Sequence, residues 1–208
     1  MTPNDRDPTD RLFTLFVVGI AALLLYSCTH PAHAQVQAPE QYRSQITREA
    51  QMRFGIPAPS PVIAAQIQQE SAWNPTAHSP VGASGLMQFM PSTAAWAETV
   101  NHWGAVDPLN PQWAIRAGVW YNRFNWDRIK ADTDCDRWHF TLSAYNGGLG
   151  YVYRRQKASV MPGSWSATGR VNPGITPGNQ HENETYSPRI LLVHQPRFTG
   201  WGRTVCLG

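Results

Sequence analysis

Residues 70–91 read Glu-Ser-Ala-Trp-Asn-Pro-Thr-Ala-His-Ser-Pro-Val-Gly-Ala-Ser-Gly-Leu-Met-Gln-Phe-Met-Pro. The stretch opens on a carboxylate at the end of an apolar helix. Pro61-Val62-Ile63-Ala64-Ala65-Gln66-Ile67 leads into it, with Pro61 suited to a first helical turn, and Asn74-Pro75 stops the helix from continuing. A turn containing Gly82 and Gly85 follows, then a short apolar segment with one amide, Gln88. No acid occurs between Glu70 and Glu98. A carboxylic acid partly withdrawn from water holds its proton to higher pH, because its charged form loses solvation. Such a Glu can hand that proton to a leaving oxygen. On spacing alone, a solvent-facing Glu at a helix end is the simpler reading, so the neighbouring segments have to decide.

Outward from this stretch the chain reads as helix after helix. Gln45 to Phe54 is amphipathic, with Ile46, Ala50 and Phe54 at i, i+4 spacing, and Gly55 ends it. Pro91 starts another helix, and residues 112–130 form a long one in which Ile115, Val119 and Tyr121 or Asn122 share a face. Asp136 to Tyr145 is a further helix that stops at Asn146-Gly147-Gly148. Residues 162–183, rich in Gly, Pro, Asn and Ser, read as a long surface loop, and a last helix is expected from about Glu184 to Val193. Neither an internal repeat nor an alternating strand pattern is present, so the expected class is mostly α, one globular domain with a long irregular Gly/Pro-rich loop. The nine Trp of the chain are mostly expected in its core, with one or two available to stack on sugars.

Four blocks in order resemble the lysozyme-like lytic transglycosylases, the family of the soluble lytic transglycosylase catalytic domain. They are Glu70-Ser71 with Asn74-Pro75, Ala77 and Ser79; Gly82 through Pro91 with Thr93-Ala94; Ala144-Tyr145-Asn146-Gly147-Gly148; and Glu182 with Tyr186, then Arg189-Ile190. The resemblance implies a lysozyme-like fold with Glu70 as the catalytic acid. It also implies substrate-binding or cleft-lining roles for Ser79, Gln88, Met90, Tyr145, Asn146, Glu182 and Tyr186. Gly147 stands where the family usually has Ala, and Ala114 where it usually has Asn.

A two-carboxylate glycosidase needs a second acid as nucleophile or base. The resemblance implies instead that one Glu protonates the β-1,4 oxygen between N-acetylmuramic acid and N-acetylglucosamine. It then accepts the proton of the muramoyl O6 hydroxyl, leaving a 1,6-anhydro product without consuming water. The alternatives are a goose-type-like muramidase, which hydrolyses the same bond, and a non-catalytic wall-binding assembly protein.

At 208 residues with a net charge of +3, the chain is one ordinary domain plus a leader. Its basicity is too weak and scattered for nucleic acid and suits an anionic wall. The seven His show no ligand spacing, and no cofactor or metal is expected. Residues 12–27 form an uncharged apolar run followed by Pro31-Ala32-His33-Ala34, which reads as a secretory leader helix over 1–34, with a linker over 35–42 and the domain over 43–208. Export to the periplasm is expected. The alternatives are an inner-membrane anchor through residues 12–27, favoured by Asp5, Asp7 and Asp10 beside Arg6 and Arg11, and lipidation at Cys28. Cys135 and Cys206 would remain after cleavage, either paired or as free thiols. The expected partner is the peptidoglycan glycan strand, acted on by a monomer. The compact layout is compatible with secretion-system assembly partners and with phage or prophage lysis or entry.

Overall fold

In the computed structural model the described residues are 40–207; the leader, Cys28 and most of the linker fall outside them. A 3-10 turn over Glu40–Tyr42 leads into α1 (Arg43–Phe54) and α2 (Ser60–Ser71). Then come α3 (Pro91–Asn101), α4 (Pro111–Arg128), α5 (Asp134–Gly147), α6 (Leu149–Ala158), the single turn α7 (Trp165–Thr168) and α8 (Pro177–Pro188). A π-helical segment, Arg189–His194, and a 3-10 segment, Gln195–Trp201, close the chain. Among the described residues the only β pairing consists of the isolated bridges His78–Ser84 and Ser84–Phe89 inside the Gly-rich turn.

The helix starts follow from local chemistry. The Asn110 side chain accepts from the amides of Gln112 and Trp113 at the head of α4, and the Thr133 hydroxyl accepts from the Asp136 amide at the head of α5. Thr176 caps α8 in the same way, with Pro177 in its first turn. That start lies inside the stretch expected to be loop. The irregular chain is therefore shorter than its composition implies: α7 and the first half of α8 lie within 162–183. The last helix begins at Pro177 rather than Glu184 and changes to π geometry immediately after Pro188, whose ring removes a backbone donor. Helix α6, directly after Gly147-Gly148, is a further element beyond those expected.

The core is built around α2. Val62, Ile63, Ala64, Ala65 and Ile67 are buried, and α2 packs on the two C-terminal segments and on α1. Helix α4 lies against α1 and α5, and α5 against α8. Gly118 of α4 lets the Met87 side chain in, since a Cβ there would sit 2.3 Å from Met87 Cε. Trp73, Trp113, Trp120, Trp126 and Trp138 are buried, as expected for most of the tryptophans, whereas Trp96 and Trp103 are half-buried. Glu49 is buried on the inner face of α1 beside Arg116 of α4, at 3.7 Å. Cys135 and Cys206 form a disulfide that joins the start of α5 to the C-terminal tail, which settles the question the sequence left open. His139 lies beside that pair, but neither sulfur remains a free thiol for a metal.

Candidate active site

Helix α2 delivers Glu70 at its last turn, and Ala72 and Trp73 then take left-handed backbone conformations, φ 48° and 69°, that turn the chain sharply away. The segment 77–89 folds back on itself. The Ser79 amide donates to the Ala83 carbonyl at 2.9 Å, and the Ala83 amide donates to the Ser79 hydroxyl at 2.9 Å. Ser84 and Phe89 exchange backbone hydrogen bonds. Gly85 is required here: its φ is +77°, and a Cβ would fall 1.8 Å from the Pro108 carbonyl oxygen. Gln88 is also left-handed, and its side-chain amide donates to the Gly85 carbonyl at 2.9 Å and the Ala77 carbonyl at 3.3 Å. It thus borders the cleft while tying the turn together.

Two adjoining cavities meet at Glu70. One, about 440 Å³, is bordered by Ser79, Gln88, Met90, Tyr121, Tyr145, Asn146 and Glu182 as well as Glu70. The other, about 340 Å³, is bordered by Gln69, His181, Glu182, Tyr186 and Arg189 with Glu70. The eight residues singled out in the sequence are thus brought to one continuous cleft, although they span more than half the chain.

The roles of several side chains become specific. Tyr186 Oη donates to Glu70 Oε1. Tyr145 Oη donates to the Met87 carbonyl at 2.8 Å, so it braces the turn segment as well as facing the cleft. Asn146 Nδ2 donates to Glu182 Oε1 at 3.0 Å, and Asn183 Nδ2 donates to Asn146 Oδ1 at 2.8 Å. Asn183 also holds Ser143 through two hydrogen bonds, which fixes α8 against α5.

Glu70 keeps some surface contact but sits deep among its neighbours. Burial pushes its carboxyl up to about 8, against the lowering effect of the Tyr186 hydroxyl and with a further upward push from Glu182. At neutral pH it is mostly a neutral acid able to donate. Burial also holds the Tyr186 and Tyr145 hydroxyls well above the ordinary tyrosine range, with the nearby Glu70 carboxylate adding to the effect, so both stay protonated donors. The site can therefore deliver one proton from Glu70 and stabilise the carboxylate that remains.

Sequence reasoning did not single out Tyr121, Gln69, Asn183 or Arg189 as site residues. Tyr121 sits between Tyr145 and Trp96, with ring centroids at 5.2 and 6.0 Å, and carries an aromatic surface outward from the cleft. The only sequence signal for it was its position on the apolar side of α4. Asn183 had none, because its function depends on α5.

This helical frame around one deep carboxylic acid is the lysozyme-like fold. The chain belongs to the transglycosylase SLT domain family, whose model matches residues 45–165. The match ends before Glu182 and Tyr186, which reach the cleft through α8. Over 130 residues the chain is 32% identical to the membrane-bound lytic murein transglycosylase F of Shewanella frigidimarina, covering 60% of this chain and 26% of that protein. The 70 kDa soluble lytic transglycosylase of Escherichia coli superposes with a TM-score of 0.63 at 26% identity, over 79% of this chain and 25% of that one. A complex of the 70 kDa soluble lytic transglycosylase with bulgecin A superposes at 0.61 with 27% identity, over 80% of this chain and 25% of that one. The chain thus spans about a quarter of the length of these relatives. Among the described residues, no helix is long and apolar enough to cross a membrane.

Proposed function

We propose that the protein is a peptidoglycan lytic transglycosylase that cleaves the β-1,4 bond between N-acetylmuramic acid and N-acetylglucosamine. Glu70 acts first as acid and then as base. The observation that carries this reading is the Glu70 carboxyl itself: part-buried, raised to about 8 by desolvation, and hydrogen-bonded to the Tyr186 hydroxyl at the meeting point of two open cavities. Protonated, it gives its proton to the glycosidic oxygen as the C1–O bond breaks, and the muramoyl N-acetyl oxygen supports the electron-poor C1. The carboxylate left behind, stabilised by Tyr186, takes the proton of the muramoyl O6 hydroxyl as O6 closes on C1. The product is a 1,6-anhydromuramoyl end. Ser79, Gln88, Met90, Tyr145, Asn146 and Glu182 border the cleft in which the glycan would lie. Family membership and the names of the relatives support the substrate class.

A second reading has its own observation. Glu182 borders both cavities with Glu70, so the second acid missing near Glu70 in sequence is supplied from α8. A hydrolase would use such a carboxylate to activate water. Mass spectrometry of muropeptides released from purified peptidoglycan decides between the two. Products one water lighter than hydrolysed ends support the transglycosylase, and hydrated ends overturn it. Export belongs to the same reading, since the substrate lies outside the cytoplasm and the Cys135–Cys206 disulfide suits an oxidising compartment. Fractionation of the full chain with and without signal-peptidase inhibition tests export and the fate of residues 1–34.

A further inference from the structure

From the Glu70 carboxyl a line of three polar side chains runs from Tyr186, at the cleft wall, into the apolar core. Asn122 of α4 donates through Nδ2 to Gln66 Oε1 at 2.6 Å. Gln66 of α2 donates through Nε2 to Tyr186 Oη at 3.3 Å. Tyr186 of α8 donates to Glu70 Oε1. Gln66 and Asn122 are completely buried, at 0% exposure, in a cluster otherwise made of Val62, Ile63, Ile67 and their apolar neighbours. Gln66 lies one helical turn before Glu70, so both side chains leave the same face of α2.

Two amides in an apolar core cost stability unless they are satisfied, and the Asn122 Oδ1 atom has no hydrogen-bond partner among the described residues. Their orientation is what the site gains. A hydroxyl has one proton, and its oxygen accepts most readily where that proton is not. With Gln66 donating to the Tyr186 oxygen, the Tyr186 proton is directed to Glu70. Donation into a hydroxyl oxygen also strengthens that hydroxyl as a donor.

We infer that Asn122 and Gln66 form a buried relay that fixes the Tyr186 hydroxyl as a donor to Glu70. Both are positioning residues for the reacting carboxyl, acting through Tyr186. The inference rests on the reading of Glu70 as the acid and base of the reaction. In that reaction the relay matters most once Glu70 has lost its proton, when the carboxylate depends on Tyr186 until it recovers one from O6. Burial raises the Tyr186 hydroxyl most strongly and the Gln66 amide opposes that, which agrees with this polarity. The other ionisable groups around Glu70 are Tyr145 from α5 and Glu182 and His181 from α8, with Arg189 at the start of the π-helical segment. None of them is joined to Gln66 by a hydrogen bond.

The test measures the Glu70 carboxyl titration by carbon NMR on the full chain without wall. The comparison covers wild type, Gln66→Leu, Tyr186→Phe and the double variant. Gln66→Leu is expected to raise the Glu70 midpoint by about one pH unit. Tyr186→Phe is expected to raise it further, and adding Gln66→Leu to Tyr186→Phe is expected to add nothing. The alkaline limb of kcat on purified peptidoglycan should move with the NMR midpoint while KM stays constant. An unchanged midpoint in Gln66→Leu, or shifts that add in the double variant, overturns the relay. If Gln66→Leu does not fold, Gln66→Leu combined with Asn122→Leu removes both amides of the relay together, so neither is left facing a missing partner, and carries the same expectation. A wild type that releases no muropeptides sinks the proposed function alone, because the NMR titration still reads the relay.

Discussion

The two sides of the cleft are built in different ways. The side formed by residues 60–91 is local: a helix end, two left-handed residues and a turn whose hydrogen bonds run between neighbours, such as Ala83 to Ser79 and Gln88 to Gly85. The side formed by residues 143–189 is assembled over distance. Asn183 reaches back to Ser143 and Asn146, and the buried Arg155 of α6 donates to the Gly169 carbonyl at 2.8 Å and Gln180 Oε1 at 3.1 Å. The local side carries Glu70, the acid of the proposed reaction. Burial raises that acid most, and the distant side carries the two groups that adjust it, Tyr186 downward and Glu182 upward. Damage to the first should therefore abolish chemistry at one point, whereas damage to the second should loosen a whole wall.

The largest expected effect is on the local side. Glu70→Gln should lower muropeptide release by about 10²–10⁴-fold while the cleft stays intact. The same variant should melt higher than wild type in alkaline buffer. Glu70 titrates near 8 when folded and near 4.5 when unfolded. Below about pH 4.5 both states hold the proton and the effect is nil. As pH rises toward 8 the unfolded state gives up its proton while the folded state keeps it, so wild-type stability falls. The gain of Glu70→Gln should therefore grow across that window to a few kcal/mol, on the order set by the shift, and then level off. A gain of equal size at pH 4 and pH 8.5 would contradict this.

Gly85→Ala tests whether the local turn tolerates any change. Its Cβ would meet the Pro108 carbonyl in a left-handed conformation, so a loss of about 3 kcal/mol in urea unfolding is expected. Arg155→Met is the matching break of the distant side. It leaves the Gly169 carbonyl without its Arg155 donor and should cost about 2 kcal/mol, with proteolysis of the 159–176 segment rising in step. The smallest effect is expected at the junction of the two sides. A Cβ on Gly147 would approach Asn183 Nδ2 to 2.7 Å, so Gly147→Ala should cost about 1 kcal/mol and weaken substrate binding more than turnover. A stabilising Gly147→Ala would show that Asn183 is not the hub described.

Gly147 shows how the structure revises a sequence reading. By backbone propensity alone, a Gly where the family usually has Ala costs conformational entropy. In the folded protein it makes room for the buried amide that ties α8 to α5. The stretch 162–183 shows a different gap. The Thr176-Pro177 start of α8 was present as a capping signal but was outweighed by the surrounding Gly, Pro and Asn. Helix α6 follows two glycines, so its start resembled a stop. The buried polar residues were the hardest to read. Gln66 stood out only as an amide within an apolar helix, and its partners lie 56 and 120 residues away.

By itself the sequence determined the helical class, the apolar run that ends at Glu70, the turn that needs Gly85, and the motif blocks that mark the cleft. These depend on period, caps and backbone conformations, which act over a few residues. Tertiary structure alone decided that the Glu70 carboxyl is partly desolvated and meets Tyr186, that Glu182 approaches it from α8, that Cys135 and Cys206 pair, and that Asn122 and Gln66 stand behind the site. Desolvation and hydrogen bonding depend on which side chains face one another in space. That is set only when α2, α4, α5 and α8 have packed together.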